Sequence, residues 1–471
     1  LTAAASSLRR LSPVDFAFAG LIAVVGLAAA VSVKIALLLV FAGCVAIFMV
    51  VRPSAFVPLL IASVFFGAVS VGDLTLARIV GPIAFVVAVV HALRTGSLGL
   101  SGTTIHRWIA GYGLLAVASL YWSWSSEFTV TLLFSLLIAV TYLLAITGLT
   151  RTRADLQLAM WTFPFAAIAL AALGIFSFAR YGSALAAQPL IGDRNFFAAF
   201  LVAAIPPSLA MFALTRNRWL RAATVLATAM SVAGVVASGS QGGALALLGS
   251  ALLAAVIVPP PRVRRRLLPF LLVLIPLVLA AVALVLTRGG PDTAGQRGAQ
   301  AAVKRSSVDR VNLWLGAWHA YRMEPLTGVG YGAYAPNSSQ MMLETPGVDL
   351  RNYNLPNFPQ EAHNTYLEAL TELGPLGVLL FLGMIGNTAL VLARLLRVAR
   401  ARGDLQFTAT SLALLISLFG FAIASFFLSV QTNRGWWVLI ALTIAAARIA
   451  AREWSMPGLG RGDATVVAVK R

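Results

Sequence analysis

Apolar runs near the length needed to cross a bilayer recur from one end of this chain to the other. A hydrocarbon core about 30 Å thick requires roughly 20 consecutive apolar residues in a helix. Such runs are read at 14–33, 35–51, 54–71, 75–94, 108–121, 128–148, 156–179, 195–214, 222–237, 243–258, 267–287, 373–393, 406–430 and 435–450. Of the 471 residues, 59% are hydrophobic and 11% charged, where a soluble domain carries about 25% charged residues. No soluble fold of this size hides so much apolar surface, so the bilayer must solvate it. The expected fold is an all-α polytopic membrane protein of about fourteen transmembrane helices. The first run has no small-residue cleavage site before the second and reads as an anchor, not a cleaved signal peptide. The missing initiator methionine suggests a trimmed chain.

The formal net charge of +19 would point to nucleic acid in a soluble protein. Here the arginines sit in short clusters between apolar runs, which is the positive-inside pattern, and no nucleic-acid partner is expected. With Arg9 and Arg10 inside, the inner loops hold Arg52, Arg94, Arg107, Arg151, Arg153, Arg216, Arg218, Arg221, the 262–266 cluster and Arg394 to Arg402. The short outer loops hold far fewer basic residues, with Arg180, Arg194 and Arg434 as the exceptions among the arginines. Both termini are therefore expected in the cytoplasm. A single cysteine, Cys44, excludes an internal disulfide and a cysteine-based metal site.

The expected organisation is residues 1–287 as spans one to eleven, 288–372 as a large outer loop, 373–450 as spans twelve to fourteen, and 451–471 as a cytoplasmic tail. A polar loop of about 85 residues is uncommon unless functional or disordered. This one carries Trp314, Trp318, Tyr321, Tyr331, Tyr334 and Tyr353, too many aromatic residues for disorder. Helical spacing runs through 308–321 and 361–373, and Gly374-Pro375 marks a break before the next span.

Ionisable groups at the outer face are the candidates for chemistry. His363 opens the second loop helix beside Glu361 and Asn364, and suits a general base or a surface position. His319 reads as packing, and His91 and His106 as interfacial. Arg78, Arg194 and Arg310 face outward; guanidinium groups pair bidentately with phosphate oxygens. For Arg78 the competing reading is snorkelling or an ion pair with Asp73; for Arg194 it is likewise structural. The turn Ser238-Gly239-Ser240-Gln241-Gly242-Gly243 fits either an anion held on backbone amides or a tight helical hairpin. No Walker or dinucleotide glycine motif and no His/Glu metal cluster is present in the sequence.

His363-Asn364-Thr365-Tyr366-Leu367-Glu368, followed by Glu372-Leu373-Gly374 and Gly377, resembles the signature of the O-antigen ligase and polymerase superfamily. Arg310 with Trp314, and then Pro325-Leu326-Thr327-Gly328-Val329-Gly330, resembles that family's periplasmic loop. Asp193-Arg194-Asn195-Phe196-Phe197-Ala198 and Ser238 to Gly242 resemble two further motifs. The resemblance implies a GT-C-like, metal-independent, inverting glycosyltransferase without a cofactor, in the bacterial inner membrane with a periplasmic active site, and roughly twelve spans as the alternative to fourteen. It would move a glycan from an undecaprenyl-pyrophosphate carrier to an acceptor hydroxyl, its partners being that donor, a glycan or lipid acceptor, and the bilayer. By the same resemblance His363 is the general base and Arg310 a pyrophosphate-holding catalytic residue. Arg194, Arg78, Gln241 and Ser240 are further pyrophosphate contacts, and Asp193, Asn195, Glu361, Asn364 and Tyr366 support them. Gln241 stands where the family has arginine, and Arg194 where it has proline, so Arg194 is a candidate for the missing charge. A ligase acting on a lipid A-core acceptor ranks first. A repeat-unit polymerase of O-antigen or exopolysaccharide and a protein O-oligosaccharyltransferase share the signature. A lipid-linked glycan transporter should instead place charges or helix breaks at mid-membrane in paired halves.

Overall fold

The computed structural model describes residues 53–67, 70–71, 74–96, 103–181, 193–257, 310–348 and 360–454, with single positions 276 and 280. The expected spans at 14–33 and 35–51, nearly all of 267–287, and most of the tail lie outside the described residues. The chain divides into two compact units, Leu1–Phe56 and Val57–Arg471, and the helical bundle belongs to the second.

The helices are α1 (Phe56–Phe65), α2 (Leu76–Thr95), α3 (Ile105–Ala118), α4 (Ser126–Leu149), α5 (Arg153–Tyr181), α6 (Arg194–Leu214), α7 (Arg218–Ser238) and α8 (Gln241–Val256). The loop contributes α9, helical over 310–323, and α10 (Tyr334–Glu344); α11 (Thr365–Ala401), α12 (Leu405–Ala424) and α13 (Arg434–Glu453) follow. Apart from these and short 3-10 turns, a two-residue antiparallel pair joins Ser70–Val71 to Leu74–Thr75. Among the described residues seven helices are long and apolar enough to cross a membrane: α4, α5, α6, α7, α11, α12 with its turn to Phe427, and α13. Three shorter apolar helices, α1, α2 and α8, accompany them. The protein is an all-α polytopic membrane protein.

Water is absent from a bilayer core, so each helix must satisfy its first N–H groups itself. Asp193 accepts from the N–H of Asn195 and Phe196, Ser240 from Gly243, Asn364 from Tyr366 and Leu367, and Asn433 from Gly435. At the opposite end Asn217 and Asp404 do the same for α7 and α12. Centrally, α6 packs against α5, α7, α8 and α12. A Cβ on Gly243 of α8 would lie 2.4 Å from the Ala198 Cβ of α6, so the glycine sets how closely these two helices approach.

One end of the bundle is basic. Arg153 donates to Asp404 at 2.7 Å and also pairs with Glu453. The buried Arg448 gives hydrogen bonds of 2.7 and 2.6 Å to the carbonyls of Thr147 and Thr150, closing the C-terminus of α4. The N-termini of α6, α8 and α11 lie at the other end, beneath the loop helices. There Val329 and Gly330 donate to the carbonyls of Thr371 and Glu372, both at 2.9 Å, and Trp124 donates to Val329 O. Ala317, Ala320, Ala333, Tyr334, Met341 and Ala362 form the core of this cap.

The loop helix expected at 361–373 and the span expected at 373–393 are two helical halves of α11, which meet at a kink with no loop between them. Its break lies at Gly374 (φ 66, ψ −168), inside the helix. That backbone region is open essentially to glycine alone, and a Cβ there would lie 2.3 Å from Leu326 O. Gly374→Ala should therefore destabilise the fold by about 1–3 kcal/mol, seen as a lower thermal unfolding midpoint in detergent. Gly386→Ala, with nothing within 4 Å of the new Cβ, should not lower it; equal midpoints for the two variants would contradict this account.

Candidate functional site

Three helix N-termini carry the polar residues that gather at the capped end. Asp193 begins α6, and its Oδ1 accepts from Asn195 N at 2.7 Å and Phe196 N at 3.3 Å. Ser240 begins α8; its Oγ accepts from Gly243 N at 3.0 Å and donates to Asn195 Oδ1 at 2.8 Å. Arg310 of α9 reaches the same oxygen, with Nη2 at 3.5 Å. Asn195 is thus a shared acceptor that ties α6, α8 and the loop helix together. The Arg310 guanidinium also lies 5.8 Å from the Phe427 ring centroid, within cation–π range.

His363 enters from the start of α11. Its φ of 48° is the one positive value outside glycine among the described residues, a conformation that costs about 1–3 kcal/mol. Its N–H donates to Ser429 Oγ at 3.1 Å. The ring's Nδ1 is buried with no hydrogen-bond partner.

The charges act on one another. Burial lowers the His363 imidazole below its ordinary 6.5, the Asp193 carboxylate pulls it back up, and the Arg310 cation lowers it further. Burial also lowers Arg310, the Arg194 cation adds to that, and Asp193 opposes it. Glu361 keeps its side chain exposed while the surrounding protein and then Asp193 push its carboxyl up to about 7. Asp193 acts on Arg310, Glu361 and His363, Arg194 acts on Arg310, and Arg310 acts on His363, so these five residues form one electrostatic chain. Among the described residues no three His, Cys, Asp or Glu side chains group to hold a metal ion.

The other sequence candidates divide. Gln241 occupies the first turn of α8, next to Ser240. Asn364 caps α11, with Oδ1 accepting from Tyr366 N and Leu367 N, both at 3.1 Å. Tyr366 donates to Ala422 O at 2.7 Å and lies 4.5 Å from the Phe426 ring, so it packs α11 against α12. Arg78 belongs to the first turn of α2, and its side chain lies outside the described residues. Sequence reasoning missed Phe427 and Ser429, which come from the α12–α13 connection more than sixty positions after His363 and carry no local motif.

A carboxyl raised from 4.5 to about 7 is ionised more easily in the unfolded chain than in the fold. Its penalty is absent below pH 4.5, grows between the two values and is complete above 7. Glu361→Gln should accordingly raise the unfolding midpoint relative to the parent at pH 8 and leave it unchanged at pH 4. An equal shift at both pH values would contradict the raised carboxyl.

Residues 226–382 match the family model described as O-antigen ligase. The match runs from within α7 into α11 and takes in Ser240, Gln241, Arg310, Glu361 and His363. A comparison with curated proteins gives no match. The matched segment holds the α7–α8 turn and the His363 helix, while Asp193, Arg194 and Asn195 lie outside it; this similarity supports an O-antigen ligase superfamily assignment and, in general, a ligase- or polymerase-like function for this multi-pass membrane protein.

Proposed function

We propose that this protein transfers a glycan from an undecaprenyl-pyrophosphate carrier to an acceptor hydroxyl, by inversion and without a metal. The convergence of His363, Arg310 and Arg194 at the N-termini of α6 and α8 carries this reading. Helix N-termini present partial positive charge and free amides to anions, and two guanidiniums beside them suit a diphosphate. His363 acts as base. With Nδ1 buried and unpartnered, Nε2 is the nitrogen that takes the acceptor proton. The acceptor oxygen forms its bond to the anomeric carbon as the carbon–phosphate oxygen bond breaks. The electron pair leaves on the pyrophosphate, where Arg310 and Arg194 stabilise the developing charge.

By the positive-inside rule the basic end of the bundle is the cytoplasmic one, and the site then faces the periplasmic side of the inner membrane. Nucleotide sugars are not available there, and a carrier-linked donor supplies its own activation. The acceptor we assign is a lipid A-core sugar. The discriminating experiment offers one carrier-linked glycan to the purified protein with a lipid A-core sugar, a second carrier-linked glycan or a protein hydroxyl in turn. Transfer confined to either of the last two moves the assignment to polymerase or protein glycosylation.

His363→Ala should abolish transfer in that assay while carrier binding persists. In the parent protein, activity should fall with decreasing pH through a midpoint below 6.5, because the lowered imidazole keeps its base form to more acid pH. A midpoint above 6.5, or normal transfer by the alanine variant, removes the base assignment. Arg194→Ala should raise the KM for the donor about tenfold, the worth of one charge-assisted phosphate contact. Gln241→Arg in that background should restore it if Arg194 supplies the charge that Gln241 lacks; no restoration would separate the two positions.

A further inference from the structure

The His363 ring is not oriented by a carboxylate, since its Nδ1 is buried without a partner. Its direction must therefore come from its backbone, which is held in the left-handed region at φ 48°. Such a conformation persists only where surrounding contacts over-determine it. The contact at hand is the Ser429 hydroxyl, which accepts the His363 N–H at 3.1 Å.

Ser429 is itself fixed on both sides. Thr365 Oγ1 donates to Leu428 O at 2.6 Å and accepts from Val430 N at 3.0 Å. This pins the residues flanking Ser429 to the first turn of α11. Gln431 extends the anchorage: its Nε2 donates to Glu372 Oε2 at 3.3 Å, and its Oε1 accepts from the Tyr112 hydroxyl of α3. The Ser429 hydroxyl is thus held in place by its neighbours on both sides, with its oxygen facing the His363 N–H.

We propose that Ser429, held by the Thr365 anchorage on either side of it, is a positioning residue that keeps the His363 backbone in its left-handed conformation and so aims the imidazole at the Arg310–Asp193 cleft. This rests on the reading of His363 as the base. Ser429 touches the backbone of His363 and not the reacting atoms, so its loss should act on turnover more than on donor binding.

The test uses the purified full-length protein and two readouts. The first is acylation of His363 by diethyl pyrocarbonate across a pH series, followed by mass spectrometry, which requires no substrate. The second is the transfer assay. In Ser429→Ala the released imidazole should gain solvent, so the pH midpoint of its acylation should rise toward the ordinary histidine value. Turnover should fall about tenfold with little change in donor KM, the scale of a misaligned catalytic group. Ser429→Thr keeps the hydroxyl and should restore both readouts. Ser429→Cys, of similar size but a weaker hydrogen-bonding partner, should shift them in the same direction by less, and it serves if the alanine variant does not assemble. An unchanged acylation midpoint in both the alanine and the cysteine variant, or failure of threonine to restore it, overturns the proposal. A shifted midpoint together with normal transfer by His363→Ala supports the positioning role and overturns the base reading instead.

Discussion

A helix that starts within or against a bilayer leaves its first N–H groups without water, and an unsatisfied group there costs several kcal/mol. In this protein that requirement is met by short polar side chains, and the same side chains build the site. Asp193 caps α6 and supplies the negative charge felt by His363, Arg310 and Glu361. Ser240 caps α8 and donates its proton to Asn195, which also accepts from Arg310. Asn364 caps α11 directly after His363. The constraint that lets three helices begin side by side therefore also sets where the charged groups stand.

Once the caps are fixed, burial does most of the electrostatic work. Arg194 and Arg310 repel each other in a partly desolvated place, and Asp193 offsets part of that repulsion. On the proposed function, a bound diphosphate would complete the balance, since it brings more negative charge than one carboxylate supplies. Burial also leaves the imidazole neutral at ordinary pH. A carboxylate against Nδ1 would orient the ring but would stabilise its protonated form and raise its pKa. Orientation through the backbone avoids that exchange between aim and protonation state.

The class of fold was legible because apolar runs of spanning length leave few alternatives. The boundaries of α5, α6 and α7 were readable for a local reason: Arg153, Arg194 and Arg218 sit where an apolar run begins. The two short runs around the Ser238–Gly243 turn are separate helices, α7 and α8, as their hydropathy alone suggests. What was not legible is what distance in sequence hides. Nothing near Asn195 says that one carbonyl oxygen serves both Ser240 and Arg310, because those partners come from 45 and 115 positions away. Tyr366 stands in the His363 motif and reads as a site residue, yet its hydroxyl is spent on Ala422 O. The Gly374-Pro375 pair announced a break, and α11 kinks there; what the pair did not announce is that a second helix resumes at once, with the Leu326 carbonyl packed against Gly374.

The break at Gly374 also explains how one helix serves two environments. Its first nine residues, Thr365 to Leu373, hydrogen-bond outward to the loop and to the 428–431 connection through Thr365, Thr371 and the Glu372 carboxyl and carbonyl. The residues after Pro375 are largely apolar and pack against α3, α12 and α13. A straight helix of that length would carry Glu368 and Glu372 along the line of the membrane-facing segment. Bending it at the one residue type that tolerates φ 66 and ψ −168 lets the polar segment tilt under the cap while the apolar segment spans. No loop separates the two halves, so the turn that carries His363 is tied through a single bend to the spanning segment and through hydrogen bonds to the cap.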